Sequence, residues 1–154
     1  METLLPVIVG GLIGLAGGIV GPPLAHWLSE GSSNKKKRAE KLEEMIGHLY
    51  AHEHWLGVVR SIRVYGAQDN NEQSPLPKAK AIAAIYFPQF IPALAGLSVV
   101  SHRYEIWMLE GAKKRLTGNI KELNDGHREA YQAYLDNQEQ FLSTLREFAA
   151  SEFR

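Results

Sequence analysis

Apolar and polar positions divide the chain into stretches of different character. Thr3–Ser29 runs for 27 residues without Asp, Glu, Lys or Arg, and Leu4–Val20 is almost wholly aliphatic or glycine. Roughly 20 helical residues cross a hydrocarbon core, so this run predicts a transmembrane helix with some tilt. From Lys35 to about Tyr65, Leu42, Met45, Ile46, Leu49, Leu56, Val59 and Ile62 recur at helical spacing, with Trp55 beside them. Lys41, Glu43, Glu44, Glu53 and Arg60 mostly fall off that stripe, which predicts an amphipathic helix of about eight turns. Ser33 or Asn34 is positioned to cap it. Gly66–Pro75 reads as a polar loop, and Pro75 and Pro77 prepare another helix start.

Ala81–Val100 is a second charge-free stretch, of 20 residues. It contains Pro88, Gln89 and Pro92, and its pattern through Phe90, Leu94 and Leu97 continues into Tyr104, Trp107 and Met108. That continuity predicts a buried, proline-kinked core helix rather than a second span. Lys113, Lys114 and Arg115 suit its last turn, and Thr117-Gly118 closes it. A last helix is expected from near Asn119, or from Asp125 as a cap, to about Ser151. Its stripe is Ile120, Leu123, Ala130, Tyr134, Phe141, Leu145 and Phe148. No segment sustains period-two alternation. The expected fold is all-α: an N-terminal transmembrane helix followed by a cytoplasmic antiparallel bundle of three helices, or four if Lys78–Phe87 stands alone before Pro88. The corresponding divisions are 1–29 for the span, 30–38 for a basic juxtamembrane linker, and 39–154 for the bundle.

Composition sharpens this plan. The 154 residues suffice for one core, and 17 Lys+Arg balance 17 Asp+Glu. Neutrality argues against direct nucleic-acid binding, which needs excess positive charge. Every Lys and Arg lies at or after Lys35. A signal peptide would carry positive charge before its apolar run; here the charge follows it, as Lys35, Lys36, Lys37 and Arg38. The positive-inside rule then puts the N-terminus outside and residues from about 30 onward in the cytoplasm, for a single-pass protein of the inner (plasma) membrane. Trp27 belongs at the membrane interface. The basic cluster sets topology and adds attraction for anionic headgroups of about 1 kcal/mol per charge.

Within the span, Gly10, Gly11, Gly14, Gly17, Gly18 and Gly21 occupy roughly a 120° arc of a helical wheel. A smooth glycine face lets helices approach closely in lipid, so these six residues are the expected interface of a homo-oligomer. Glu44, His48 and His52 follow one another at four-residue spacing and are weak candidates for a metal site. The competing account of His52 is a hydrogen-bonded core histidine, because it lies on the apolar seam with Leu49 and Leu56. Without Cys there is no thiolate site. Phosphate-loop and nucleophile-elbow motifs are absent, as is the Arg-then-His spacing of HEPN-type ribonucleases, so neither an enzyme nor a cofactor is expected.

The layout is shared in outline by many small bacterial membrane proteins, membrane-acting effectors of phage-defence systems among them. The glycine arc and a bundle too small to suggest catalysis lead to the expectation of a membrane protein that associates with itself and opens a pore under control of its helical domain. An adaptor that recruits a cytoplasmic protein is the alternative, and a histidine-ligated metal enzyme a third.

Overall fold

The computed structural model describes the backbone of residues 4–68 and 73–153, and side chains over the same ranges from Ser33 onward. Among these residues there are four α-helices and no strand: α1 (Leu4–Tyr65), α2 (Leu76–Tyr86), α3 (Ile91–Leu116) and α4 (His127–Glu152). Short 3-10 turns occupy Pro88–Phe90 and Ile120–Glu122. The chain divides into two compact units, residues 1–38 and 39–154. The second unit is the all-helical bundle and carries the core.

Each helix ends for a local reason. Gly66, at φ 76°, turns the chain out of α1. Its N–H bonds the Ile62 carbonyl and the Ala67 N–H bonds the Ser61 carbonyl, both at 3.0 Å, so the last orphan carbonyls are satisfied. Gly118 (φ 80°) serves α3 in the same way, as the pattern predicted. At the start of α4 the cap is Gly126 (φ 73°) rather than Asp125. The left-handed backbone there is open to glycine at little cost.

The main correction concerns the second charge-free stretch. It is not one kinked helix. Phe87 leaves helical geometry (φ −142°, ψ 57°), and Pro88 opens a 3-10 turn. Proline lacks an N–H and disfavours helical backbone in the preceding residue, so the helix stops there. The chain reverses instead of bending because Phe87 and Phe90 both sink into the core. Their rings meet Phe148 edge-on at 5.9 and 5.1 Å. The four-helix alternative is therefore the observed one. Among the described residues no helix is long and apolar enough to cross a membrane, and this includes Ala81–Val100. The run Thr3–Ser29 lies outside the residues whose side chains are described.

Contacts along the bundle give its topology. Ser74, at the entry to α2, and Ser101, in mid-α3, both bond His52 of α1. Val64 near the end of α1 faces Gly111 of α3, where an added Cβ would stand 3.1 Å from Val64 Cγ2. Over residues 39–65, α1 thus runs parallel to α3, and α2 and α4 run against both. The core is layered. Phenylalanines fill the end near Ala39, His52 and Tyr134 the middle, and Tyr104, Trp107, His127 and Tyr131 the far end. Leu42, Met45, Leu49, Leu56 and Val59 are buried as expected, with Ile46 and Ile62 only half-buried. Ile120, expected in the core, is 58% exposed.

Candidate functional site

Glu44, His48 and His52 do not converge. Glu44 Oε1 lies 3.8 Å from His48 Nε2 on the outer face of α1. Each four-residue step rotates a helical position by about 40°, so two steps from Glu44 carry His52 away from that face and into the core. His52 is 1% exposed. Its Nε2 is 3.0 Å from Ser101 Oγ and its Nδ1 is 3.1 Å from Ser74 Oγ. A neutral imidazole donates from one nitrogen and accepts at the other, so one serine accepts and the other donates. Trp55 stacks on the ring at 5.5 Å, and burial, reinforced by Lys80, lowers its pKa to about 4. Among the described residues no group of three His, Asp or Glu side chains is placed to hold a metal.

A second polar node lies at the far end of the bundle, and its parts are spread over three helices. Arg60 Nη1 (α1) donates to His127 Nε2 (first residue of α4) at 2.7 Å. That nitrogen is therefore an acceptor and the ring proton sits on Nδ1. The Tyr104 hydroxyl (α3) lies 3.2 Å from the same atom. Burial and the Arg60 cation hold the His127 pKa below its ordinary value. Trp107 Nε1 donates to the Asp125 carbonyl at 2.7 Å, and Tyr65 donates to Asn124 Oδ1 at 2.7 Å. These bonds tie the α3–α4 connection to α1. The lone pair of His127 is committed to Arg60, so the node links α1, α3 and α4.

The surface carries two further features that periodicity did not single out. The first is a groove of about 560 Å³ between α1 and α4, lined by Tyr50, Glu53, His54, Gly57, Ser61 and Tyr131. Its floor is open: a Cβ added at Gly57 would meet nothing within 4 Å. Glu53 sits in its wall, 3.5 Å from the Tyr131 hydroxyl. The second is the outer face of α3, where Val99, Ile106, Leu109 and Leu116 stand at least 43% exposed. Their spacing of seven, three and seven residues places them on one stripe, with His102 and Lys113 interrupting it. The stripe expected from the sequence is the opposite, buried one of the same helix, through Phe90, Leu94, Leu97, Tyr104, Trp107 and Met108, and does not include these four positions.

Lys35, Lys36 and Lys37 are exposed and Arg38 is half-buried. The glycine interface residues Gly10, Gly11, Gly14, Gly17, Gly18 and Gly21, together with Trp27, lie outside the residues whose side chains are described. No protein-family model, curated protein or solved structure matches this chain.

Proposed function

We propose that the protein is a single-pass inner-membrane protein that assembles with itself through its glycine-rich N-terminal helix and carries a cytoplasmic helical bundle on the assembly. The observation that carries this reading is the 27-residue charge-free run Thr3–Ser29, followed after the short stretch Glu30–Asn34 by Lys35, Lys36, Lys37 and Arg38. In water that run would expose a long apolar surface and six glycines that weaken a helix, each by about 1 kcal/mol relative to alanine. In lipid the helix satisfies its own backbone and the glycines become a packing face.

Assembly of several spans about one axis would leave a pore lined by glycine and aliphatic side chains. Such a lining has no charge ring to select ions and closes by dewetting, so conduction would be poorly selective. The bundle is the part exposed to a cytoplasmic signal. The test is the absolute mass of the full-length protein in detergent and in nanodiscs, for wild type and for Gly14→Leu/Gly18→Leu. A defined oligomer that the double substitution dissociates supports the assembly, and ion flux from protein-loaded vesicles then tests the pore. A protein that partitions to the aqueous phase without detergent would overturn the anchor; a wild-type monomer in nanodiscs would overturn the assembly.

A further inference from the structure

Two surface features are left without a partner in the bundle, one projecting and one recessed. On α3, Val99, Ile106 and Leu109 are bulky, apolar and exposed. Between α1 and α4 lies an open groove floored by glycine and serine and walled by Tyr50 and Tyr131. We propose that α3 of one copy seats in the α1–α4 groove of the next, so that the bundles form a closed ring. The proposal rests on the membrane-anchored reading above and supplies the interface by which the bundles join.

The register follows from symmetry. Heterologous contacts close into a ring only if rotation about one axis carries no rise. With that axis set along the bundle, residues at equal height on neighbouring copies must then meet. Within one protomer, His52 stands level with Ser101 and Val64 with Gly111, so α1 lies 47 to 49 residue numbers behind α3 at equal height. At that offset Val99 of one copy arrives at Tyr50 of the next, Ile106 at Gly57 and Leu109 at Ser61. Arg103 arrives beside Glu53 and His54, bringing a cation to the carboxylate in the groove wall. All three apolar side chains reach the groove at once, and the charged pair has opposite signs.

Pairing α3 with α3 is a poorer solution in both directions. In a parallel pair Glu105 of one copy flanks Glu110 of the other, which is repulsive. In an antiparallel pair the Ala39 ends of the two bundles point in opposite directions, and two anchors cannot then enter one membrane. Because α1 and α3 are parallel within the bundle, the ring keeps every Ala39 end on the same side.

The native chain has no cysteine, so the interface can be read by disulfide trapping. Full-length protein in nanodiscs would be prepared as Gly57→Cys, as Ile106→Cys and as the double variant, then mildly oxidised. Gly57 has open space around its Cβ direction and Ile106 is 43% exposed, so both sites accept cysteine without disturbing the core. The expected result is a ladder of covalent multimers from the double variant and monomer from each single one. Dimers from Ile106→Cys alone would mean that α3 faces α3 and would overturn the proposal. An oligomeric mass with no trapped species would overturn the proposal and leave the membrane assembly standing. A monomeric mass would overturn both and leave the groove to a different partner. Gly57→Leu, which fills the groove, should keep the helical circular-dichroism spectrum and drop the crosslinking yield of Val99→Cys/Tyr50→Cys by at least tenfold; unchanged yield would count against the seating.

Discussion

His52 on α1 and Ser101 on α3 share a 3.0 Å hydrogen bond at the centre of the bundle, both almost completely buried. With Ser74 on the other ring nitrogen, this bond sets the height of three segments at once: α1, α3 and the entry to α2. An apolar side chain in its place would be indifferent to sliding along the neighbouring helix. A hydrogen bond is not, because a slip leaves a buried polar group unsatisfied.

Replacing His52 with alanine should therefore destabilise the bundle by about 2–4 kcal/mol, from the cavity and from the stranded, buried Ser101 hydroxyl. Ser101→Ala removes one partner and should cost about 1–2 kcal/mol. Urea unfolding followed by circular dichroism would measure both. Equal, negligible losses would show that the bond contributes nothing to register.

Acid should weaken the fold through the same residue. The folded His52 has a pKa of about 4 against an ordinary value of 6.5, so between these limits the unfolded chain binds more protons than the folded one. Stability is complete above about pH 6.5 and falls as the pH drops toward 4. The loss attributable to this group is about 3 kcal/mol. His127, lowered for the same primary reason, acts in the same direction. Comparing urea midpoints of wild type and His52→Gln at pH 7.5 and 4.5 isolates the contribution: the variant should show the shallower pH dependence.

Tyr134 gives the opposite kind of prediction. Its ring is fully buried, its hydroxyl has no hydrogen-bond partner among the described residues, and burial pushes its pKa upward. Tyr134→Phe removes an unsatisfied polar atom while keeping the ring, and should stabilise the bundle by up to about 1 kcal/mol. A lowered melting temperature would mean that buried water satisfies the hydroxyl.

Two helical glycines should respond oppositely to alanine. Gly111 lets α3 approach α1, and a Cβ there would stand 3.1 and 3.3 Å from the two Val64 methyls. Gly111→Ala should cost about 1–3 kcal/mol through overpacking, and Val64→Ala should recover part of that loss in the double variant. Gly57 faces open space, so Gly57→Ala should raise the stability of the isolated bundle by about 1 kcal/mol. Thermal melts of the three variants distinguish close packing from propensity.

Much of this architecture was legible in the chain. Leu42, Met45, Leu49 and Leu56, or Tyr134, Phe141 and Leu145, recur with helical period because one face of each helix must leave water. Gly66 and Gly118 stand where the backbone turns left-handed, a demand that local sterics impose before any tertiary contact forms. Even the burial of His52 was visible as an alternative, from its place on the apolar seam.

What needed the tertiary structure was every relationship between segments distant in sequence. Periodicity reports which side of a helix faces inward, but it carries no height. Nothing in the spacing of Arg60 and His127 announces their 2.7 Å contact. Pro88 announced a disturbance; reversal rather than a kink followed only from the partners that Phe148 offers Phe87 and Phe90. The exposed stripe of α3 was not distinguished by pattern for the same reason: an apolar residue looks alike in sequence whether it packs in its own core or stays at the surface. Local propensity and patterning act over a few residues and are written in the sequence, whereas register, reversal and the face left open depend on which surfaces reach one another first in three dimensions.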